Sequence, residues 1–185
     1  MGERREELIG KALEYFLEHG LAGLSLRPLA KQIGTSARLL VYHFGSKDGL
    51  VTAVMAEVQA RAQRSFTVAA TRNAKGGRKG VMQVFWTWVT HPSNLPAMRL
   101  LFEVQALALQ NPAEYARYLE DASSNWLELI EGSLPPSKEN RVIATLGAAV
   151  MDGLFLEYLN TGDLRRTTKA LDLFTQLIQG GGRDA

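Results

Sequence analysis

Basic and hydroxyl side chains suited to binding nucleic acid are concentrated in one short stretch near the start of the sequence. Between Glu18 and Asp48 there is no carboxylate, whereas four cations fall in that window. They are Arg27, Lys31, Arg38 and Lys47. A guanidinium can donate two hydrogen bonds to guanine O6 and N7, and lysine binds phosphate oxygens. The chemistry expected of this stretch is therefore recognition of a polyanion.

Residues that could carry catalysis are few. The chain has no cysteine, which excludes disulfides and thiolate metal sites, and its three histidines are His19, His43 and His91. It has neither a glycine-rich phosphate loop nor a paired-histidine metal motif. We therefore expect no catalytic residue, no metal and no cofactor. A small helical enzyme using Asp152 in an aromatic pocket is the alternative.

The elements that position these residues are predicted to be helices throughout. Hydrophobic residues make up 46% of the 185-residue chain and charged residues 22%, as in ordinary globular domains. Apolar residues recur at helical spacing and glycine or proline interrupts them, which predicts an all-α fold of about nine helices without strands. The expected ranges are Glu6–Glu18, Leu26–Ile33, Ser36–Tyr42, Lys47–Val68, Val81–Thr90, Pro96–Gln110, Ala113–Gly132, Lys138–Asn160 and Leu164–Gln179. Arg72–Gly80, with three glycines, is the clearest loop.

The second and third of these helices form a helix-turn-helix pattern. Ser25 and Ser36 are expected to cap them, and Gly34 breaks the chain between them. Packing the apolar stripe of the first helix leaves the start of the second, Ser36–Arg38, facing outward, as entry into a major groove requires. Arg38 is then the expected base reader, with a solvated surface arginine as its alternative.

Three further residues are expected to reach phosphate oxygens. They are Tyr42, His43 and Lys47, one to two turns beyond Arg38. Tyr42 has an alternative, in which its ring packs in the core beside Phe44.

These residues resemble the DNA-binding half of the TetR family of transcriptional regulators. The resemblance lies in the motifs Ala30–Ser36 and Tyr42–Lys47 and in Leu50. It implies a three-helix head in residues 1–47 that binds a double-stranded DNA operator, followed by a helical effector-binding and dimerisation domain in 48–185. The implied DNA-binding residues are Arg27, Thr35, Ser36, Ala37, Arg38, Tyr42, His43 and Lys47.

Two positions depart from the family pattern. Val41 stands where a phosphate-contacting tyrosine is usual, and Arg38 stands where glycine is usual. Tyr42 could take over the phosphate contact, although its direction on a helix differs by about 100°. Arg27 matches a position from which some members reach a base.

The last two predicted helices are expected to join two copies into a homodimer, as the resemblance also implies. Each has an apolar stripe, which could equally be intramolecular core. The stripes are Ile143, Leu146, Val150, Leu154 and Tyr158, and Leu171, Phe174, Thr175 and Ile178.

Aromatic residues between the head and these helices suggest a pocket for a small, hydrophobic effector. Gln105 and Asp152 interrupt apolar stripes, and a ligand could supply their partners. Glu103 is expected to be solvated instead. The predicted pocket residues are Phe85, Trp86, Phe102, Gln105, Trp126, Asp152 and Phe155. The alternative is ordinary core in a DNA-binding protein without an effector.

The expected location is the cytoplasm, without a membrane partner. The N-terminus lacks the apolar core of a signal peptide. The most apolar stretch, Val142–Leu159, is interrupted by Asp152 and Glu157, so no bilayer span is predicted. The resemblance implies a repressor released from a palindromic operator by its effector.

Overall fold

The computed structural model describes residues 2–72, 77–132, 134 and 136–180. This part of the chain forms nine helices and no strands, as predicted. The helices are α1 (Gly2–His19), α2 (Leu26–Gln32), α3 (Ala37–Phe44), α4 (Lys47–Arg72), α5 (Gly77–Val89), α6 (Leu95–Gln110), α7 (Pro112–Gly132), α8 (Asn140–Thr161) and α9 (Leu164–Gly180).

Two serine side chains cap the N-termini of α3 and α4. The Oγ of Ser36 accepts a hydrogen bond from the Leu39 N–H at 3.2 Å, and the Oγ of Ser46 accepts one from the Gly49 N–H at 2.9 Å. Both contacts satisfy a backbone donor of a first helical turn. Ser25 occupies the N-cap position of α2, but its side chain makes no capping hydrogen bond.

One predicted loop is shorter than expected. Residues 77–80 belong to α5, which starts at Gly77, four residues before the predicted start at Val81. The glycines at 77 and 80 therefore lie in a helix, where they lower its propensity without preventing it. Residues 73–76 of that predicted loop lie outside the described residues.

Unit 1 of the fold comprises residues 1–64 and 93–123. It contains α1, α2, α3 and α6 together with the first part of α4 and of α7. Its core consists of apolar side chains from all six helices, among them Phe16, Leu40, Leu50 and Val104. Helix α1 contacts both α2 and α6, and α2 contacts α3. The helix-turn-helix is thus packed against a scaffold rather than standing alone.

Unit 2 comprises residues 65–92 and 124–185. Within it α5 contacts both α8 and α9, and these two helices also pack on each other. Its buried side chains include Phe66, Trp86, Met151, Phe155 and Leu171.

The apolar faces of α8 and α9 differ from the predicted stripes. Leu171 and Thr175 of the predicted α9 stripe are buried within the subunit's own core, whereas Phe174 and Ile178 are half-buried. On α8 only Leu146 of the predicted stripe is exposed. The exposed large apolar side chains of the two helices are Val142, Leu146, Leu156, Leu164, Leu173 and Leu177. A free apolar face therefore exists, rotated from the predicted one.

Helix α8 bears on the expectation that the chain has no bilayer span. It is the one helix in the described part of the chain that is long and apolar enough to cross a bilayer by length and composition, with a mean hydropathy of 1.6 over its best window. Asp152 and Glu157 do not lower the mean hydropathy of this helix below that of a membrane span. A single such helix is weak evidence for a membrane, because the core helix of a soluble protein can pass the same test.

Candidate nucleic-acid interface and effector region

Helix α3 separates its side chains into an inward and an outward face. Leu40 is buried and Phe44 packs against the core, whereas Arg38, Val41 and Tyr42 are exposed. Tyr42 is 65% exposed and Val41 43%, so the alternative in which Tyr42 packs into the core is wrong. Because the three outward residues lie within one arc of the helix, a groove entered by α3 would meet all of them.

The other predicted DNA-binding residues surround this face. Arg27, Ser36 and Lys47 are exposed, while Ala37 and His43 are half-buried. The ring of His43 meets that of Tyr42 edge to face, with centroids 5.2 Å apart.

Thr35 differs from the rest of this set. Its backbone N–H donates to the carbonyl of Ala30, and its hydroxyl oxygen is buried without a partner in the described structure. The hydroxyl therefore faces protein in this conformation, so its DNA contact remains a prediction.

The charges of this surface are uncompensated. No carboxylate of the described residues pairs with Arg27, Arg38 or Lys47. Arg61 and Arg64 on α4 contrast with them, because Glu57 accepts from both, at 2.7 and 3.4 Å. Unpaired cations on an exposed helical face favour binding of phosphate.

Glu103 of α6 holds the end of α1, contrary to the expectation that it is solvated. Its carboxylate accepts a hydrogen bond from the backbone N–H of Leu21 at 2.6 Å and is half-buried. The preceding Gly20 has φ +73°, and a Cβ there would lie 3.1 Å from both carboxylate oxygens. The contact joins residues 82 positions apart, so local spacing could not have predicted it.

A second polar contact joins α7 to α4. The hydroxyl of Tyr115 donates to the carboxylate of Asp48 at 2.8 Å. Asp48 lies in the first turn of α4, directly after Lys47. A carboxylate therefore makes a hydrogen bond at each end of the segment that contains the helix-turn-helix. Glu103 accepts from Leu21 before it, and Asp48 accepts from Tyr115 after it.

Two predicted pocket residues, Phe85 and Trp126, belong to one aromatic cluster of unit 2. The cluster also contains Phe66 and Trp88, and its ring centroids lie 5.1–6.3 Å apart. These distances are those of edge-to-face and tilted aromatic pairs. Phe66 was missed by sequence reasoning, although it continues the buried stripe of α4 through Val58 and Ala62.

Unit 2 also contains three other predicted pocket residues, Trp86, Phe155 and Asp152. Trp86 is buried, and its indole N–H donates to the hydroxyl of Thr168 at 2.8 Å. Phe155 is buried and pairs with the ring of Tyr158 at 6.3 Å. Asp152 is exposed on α8.

Two predicted pocket residues fall in unit 1. They are Phe102, which is half-buried, and Gln105, which is exposed. The described residues contain no group of three or more potential metal ligands.

A helix-turn-helix with an outward, cationic second helix defines a DNA-binding protein. The family model for bacterial regulatory proteins of the tetR family matches residues 8–54. The chain is 25% identical over 184 residues to the transcriptional repressor AcnR of Corynebacterium diphtheriae, covering 95% of this chain and 92% of AcnR. It is 30% identical over 164 residues to the transcriptional regulatory protein RaaS of Mycobacterium tuberculosis, covering 83% and 72%. The chain belongs to the TetR family of DNA-binding transcriptional regulators.

The fold also resembles that of a solved structure. The crystal structure of the multidrug binding protein EbrR complexed with proflavin has a TM-score of 0.72 against this chain. The two are 23% identical, and the match covers 95% of this chain and 99% of EbrR.

Proposed function

We propose that this regulator is a repressor that reads a palindromic operator as a homodimer and leaves it when a small hydrophobic effector binds. The outward face of α3 carries the proposal, because Arg38 and Tyr42 are exposed there beside cations that have no carboxylate partner. Arg38 reads a guanine, while Tyr42, His43 and Lys47 bind phosphates. The name of AcnR as a repressor supports the direction of the effect.

A second copy of the chain is the proposed occupant of the exposed apolar face of α8 and α9. Palindromic half-sites lie about 34–36 Å apart and are read by two heads related by a two-fold axis. Large apolar side chains left exposed on two packed helices favour association, since covering them removes apolar surface from water. Val142, Leu146, Leu173 and Leu177 supply most of that surface. This use of α8 also accounts for its apolar composition in a cytoplasmic protein.

The effector is proposed to bind among the aromatic side chains of unit 2. Aromatic rings with a few polar groups are the usual lining of sites for apolar ligands. EbrR, whose fold is similar, was crystallised with proflavin, a planar aromatic molecule. Of the predicted residues, Phe85 and Trp126 are the best supported, because each ring already contacts two or more others. In this scheme residues 1–47 read DNA and residues 48–185 bind effector and partner, without a catalytic step.

Selection of operators from a random duplex pool tests the proposal. We expect the wild type to enrich a palindrome, and Arg38→Ala to relax one position of each half-site at a cost of about 1–3 kcal/mol in discrimination. Arg61→Ala is the matched control, because that exposed arginine is already paired with Glu57. Titration of the selected complex with proflavin then tests release.

Three outcomes would contradict parts of the proposal. Binding without any sequence preference would contradict the reading role of α3. Enrichment of a single half-site would contradict the dimer. Proflavin that raises the melting temperature of the free protein but leaves the operator complex intact would contradict effector release, since a coupled ligand must favour one of the two states.

A further inference from the structure

Arg5, in the first part of α1, lies next to the C-terminal end of the reading helix. Its guanidinium carbon is 5.1 Å from the centroid of the Phe44 ring, within the range of a cation–π contact. Phe44 is the last residue of α3. The contact therefore brings a cation from a third helix to the junction between α3 and α4, where Lys47 begins the next helix.

The two neighbouring arginines of α1 differ in their partners. Arg4 donates to the carboxylate of Glu7 at 2.5 Å, and Lys11 contacts the same carboxylate at 2.8 Å. Hydrogen bonds from Lys11 and Arg4 lower the pKa of Glu7, which keeps that carboxylate ionised. Arg5 is exposed and has no carboxylate partner among the described residues. Of these three cations, Arg5 is the one whose charge no carboxylate of the described residues neutralises.

The cation–π contact holds this guanidinium near the ring without a hydrogen bond to it. A cation near a ring face is attracted by the π-electrons, so the N–H groups of the guanidinium can still donate to a ligand. An arginine held in this way is suited to a planar, two-point contact with phosphate oxygens. The same contact also contributes to the stability of the fold, so a structural role of Arg5 predicts a lowered melting temperature on its removal.

We propose that Arg5 binds a phosphate of the DNA backbone and extends the interface beyond the helix-turn-helix onto α1. The proposal rests on the proposed DNA-binding function. The predicted phosphate contacts Tyr42, His43 and Lys47 lie within three residues of Phe44 along the chain, which favours a DNA phosphate as the anion met there. The contact adds affinity on every sequence and no preference among bases.

The test measures duplex binding of the full-length protein as a function of salt, on the selected operator and on a random-sequence duplex. Each phosphate contact contributes about 0.9 to the slope of log K against log salt concentration. We expect Arg5→Ala to reduce the slope by about one for each bound subunit, equally on both duplexes. Arg4→Ala is the matched control and should leave the slope close to wild type. Arg5→Lys, which retains the charge, should retain most of it.

Each result supports or overturns the proposal. An unchanged slope for Arg5→Ala together with a lowered melting temperature would assign Arg5 to the fold alone. Equal losses for Arg4→Ala and Arg5→Ala would reduce the effect to net charge. If the wild type enriches no operator but Arg5→Ala still loses slope on the random duplex, the phosphate contact stands and the proposed sequence reading fails. A wild type that binds neither duplex overturns both.

Discussion

In unit 1, carboxylates join segments that are distant in sequence: Glu103 accepts from the Leu21 N–H, and Asp48 accepts from the Tyr115 hydroxyl. In unit 2, the half-buried contacts of this kind run from indole N–H groups to hydroxyl partners, whereas the Gln83 amide donates to the carboxylate of Asp172 at the exposed surface. Trp86 donates to Thr168 and Trp88 to Ser65. Hydrogen bonds to charged groups are shorter and stronger than neutral ones.

The exposed surfaces of the two units also differ in their chemistry. Unit 1 exposes unpaired cations around α3, while unit 2 exposes leucines on α8 and α9. Unpaired cations suit a surface that binds phosphate, whereas exposed leucines suit the apolar partner proposed for unit 2. The comparison therefore predicts that small changes in unit 1 alter the geometry of reading, while unit 2 responds to charge placed on its apolar face.

The largest effect is expected from Gly49→Ala, at the start of α4. A Cβ on Gly49 would lie 2.1 Å from the backbone carbonyl oxygen of Phe44, a clash that requires the α3–α4 junction to move. We expect a loss of about 3 kcal/mol or more in the free energy of unfolding, together with loss of operator binding. Denaturant unfolding measures the first quantity and duplex binding the second.

Gly10→Ala is the control for this substitution. Gly10 lies inside α1, and a Cβ there meets nothing within 4 Å. Alanine should stabilise the helix by up to about 1 kcal/mol because it has the higher helix propensity. Equal destabilisation by the two substitutions would contradict the rigid junction and indicate a general sensitivity of unit 1.

A smaller effect is expected from Glu103→Gln. The amide oxygen of the glutamine can still accept from the Leu21 N–H but lacks the negative charge, so we expect the free energy of unfolding to fall by about 1 kcal/mol. Glu103→Ala leaves the N–H unpaired and should lower it by about 2 kcal/mol. Glu14→Gln, at an exposed position of α1, should change stability little. If Glu103→Ala were as stable as the wild type, the polar contact would not hold α1 to α6.

The head of the molecule could be predicted from sequence because its signals are local. Ser36 and Gly34 set the limits of the two short helices, and the stripe of α2 gives the inward face. The burial of Tyr42 could not be decided, because its ring suits either a core or a surface and only packing determines which. Glu103 was mistaken for a solvated residue because its partner is 82 residues away.

Unit 2 was less predictable because its helices carry apolar residues on more than one side. On α8 the exposed side chains include Val142, Leu146 and Leu156, so hydrophobicity alone could not distinguish the buried face from the free one. Aromatic composition was also misleading, since the predicted pocket residue Phe102 belongs to unit 1, while Phe66, which was not predicted, belongs to the cluster of unit 2. Such assignments depend on contacts between helices, which a single sequence does not specify.

Asp152 offers the finest test of the comparison, because it is a carboxyl group on the free face of α8. It lies one helical turn from both Ala149 and Leu156, which are exposed on the same side. Burial raises the pKa of its carboxyl even though the residue keeps an exposed surface. A second copy covering this face would remove more water from the carboxyl and oppose its ionisation further.

The sign of the pH dependence follows from this raised pKa. Because the pKa is raised, the folded and associated state favours the protonated carboxyl. The contribution of this carboxyl to stability is therefore fully present below its unfolded pKa and is lost as pH rises through its folded pKa. We therefore expect Asp152→Asn to strengthen the proposed dimer and the fold at pH 7 to 8, by less than about 1 kcal/mol because exposure limits the desolvation. The advantage of Asp152→Asn should shrink towards pH 4, where the wild-type carboxyl becomes protonated.

Sedimentation equilibrium across this pH range measures the dissociation constant of the proposed dimer, with Glu128→Gln on α7 as the exposed control. A pH-independent difference, or weaker association at pH 8, would mean that Asp152 faces water in the dimer and that the apolar face of α8 is not the contact between copies.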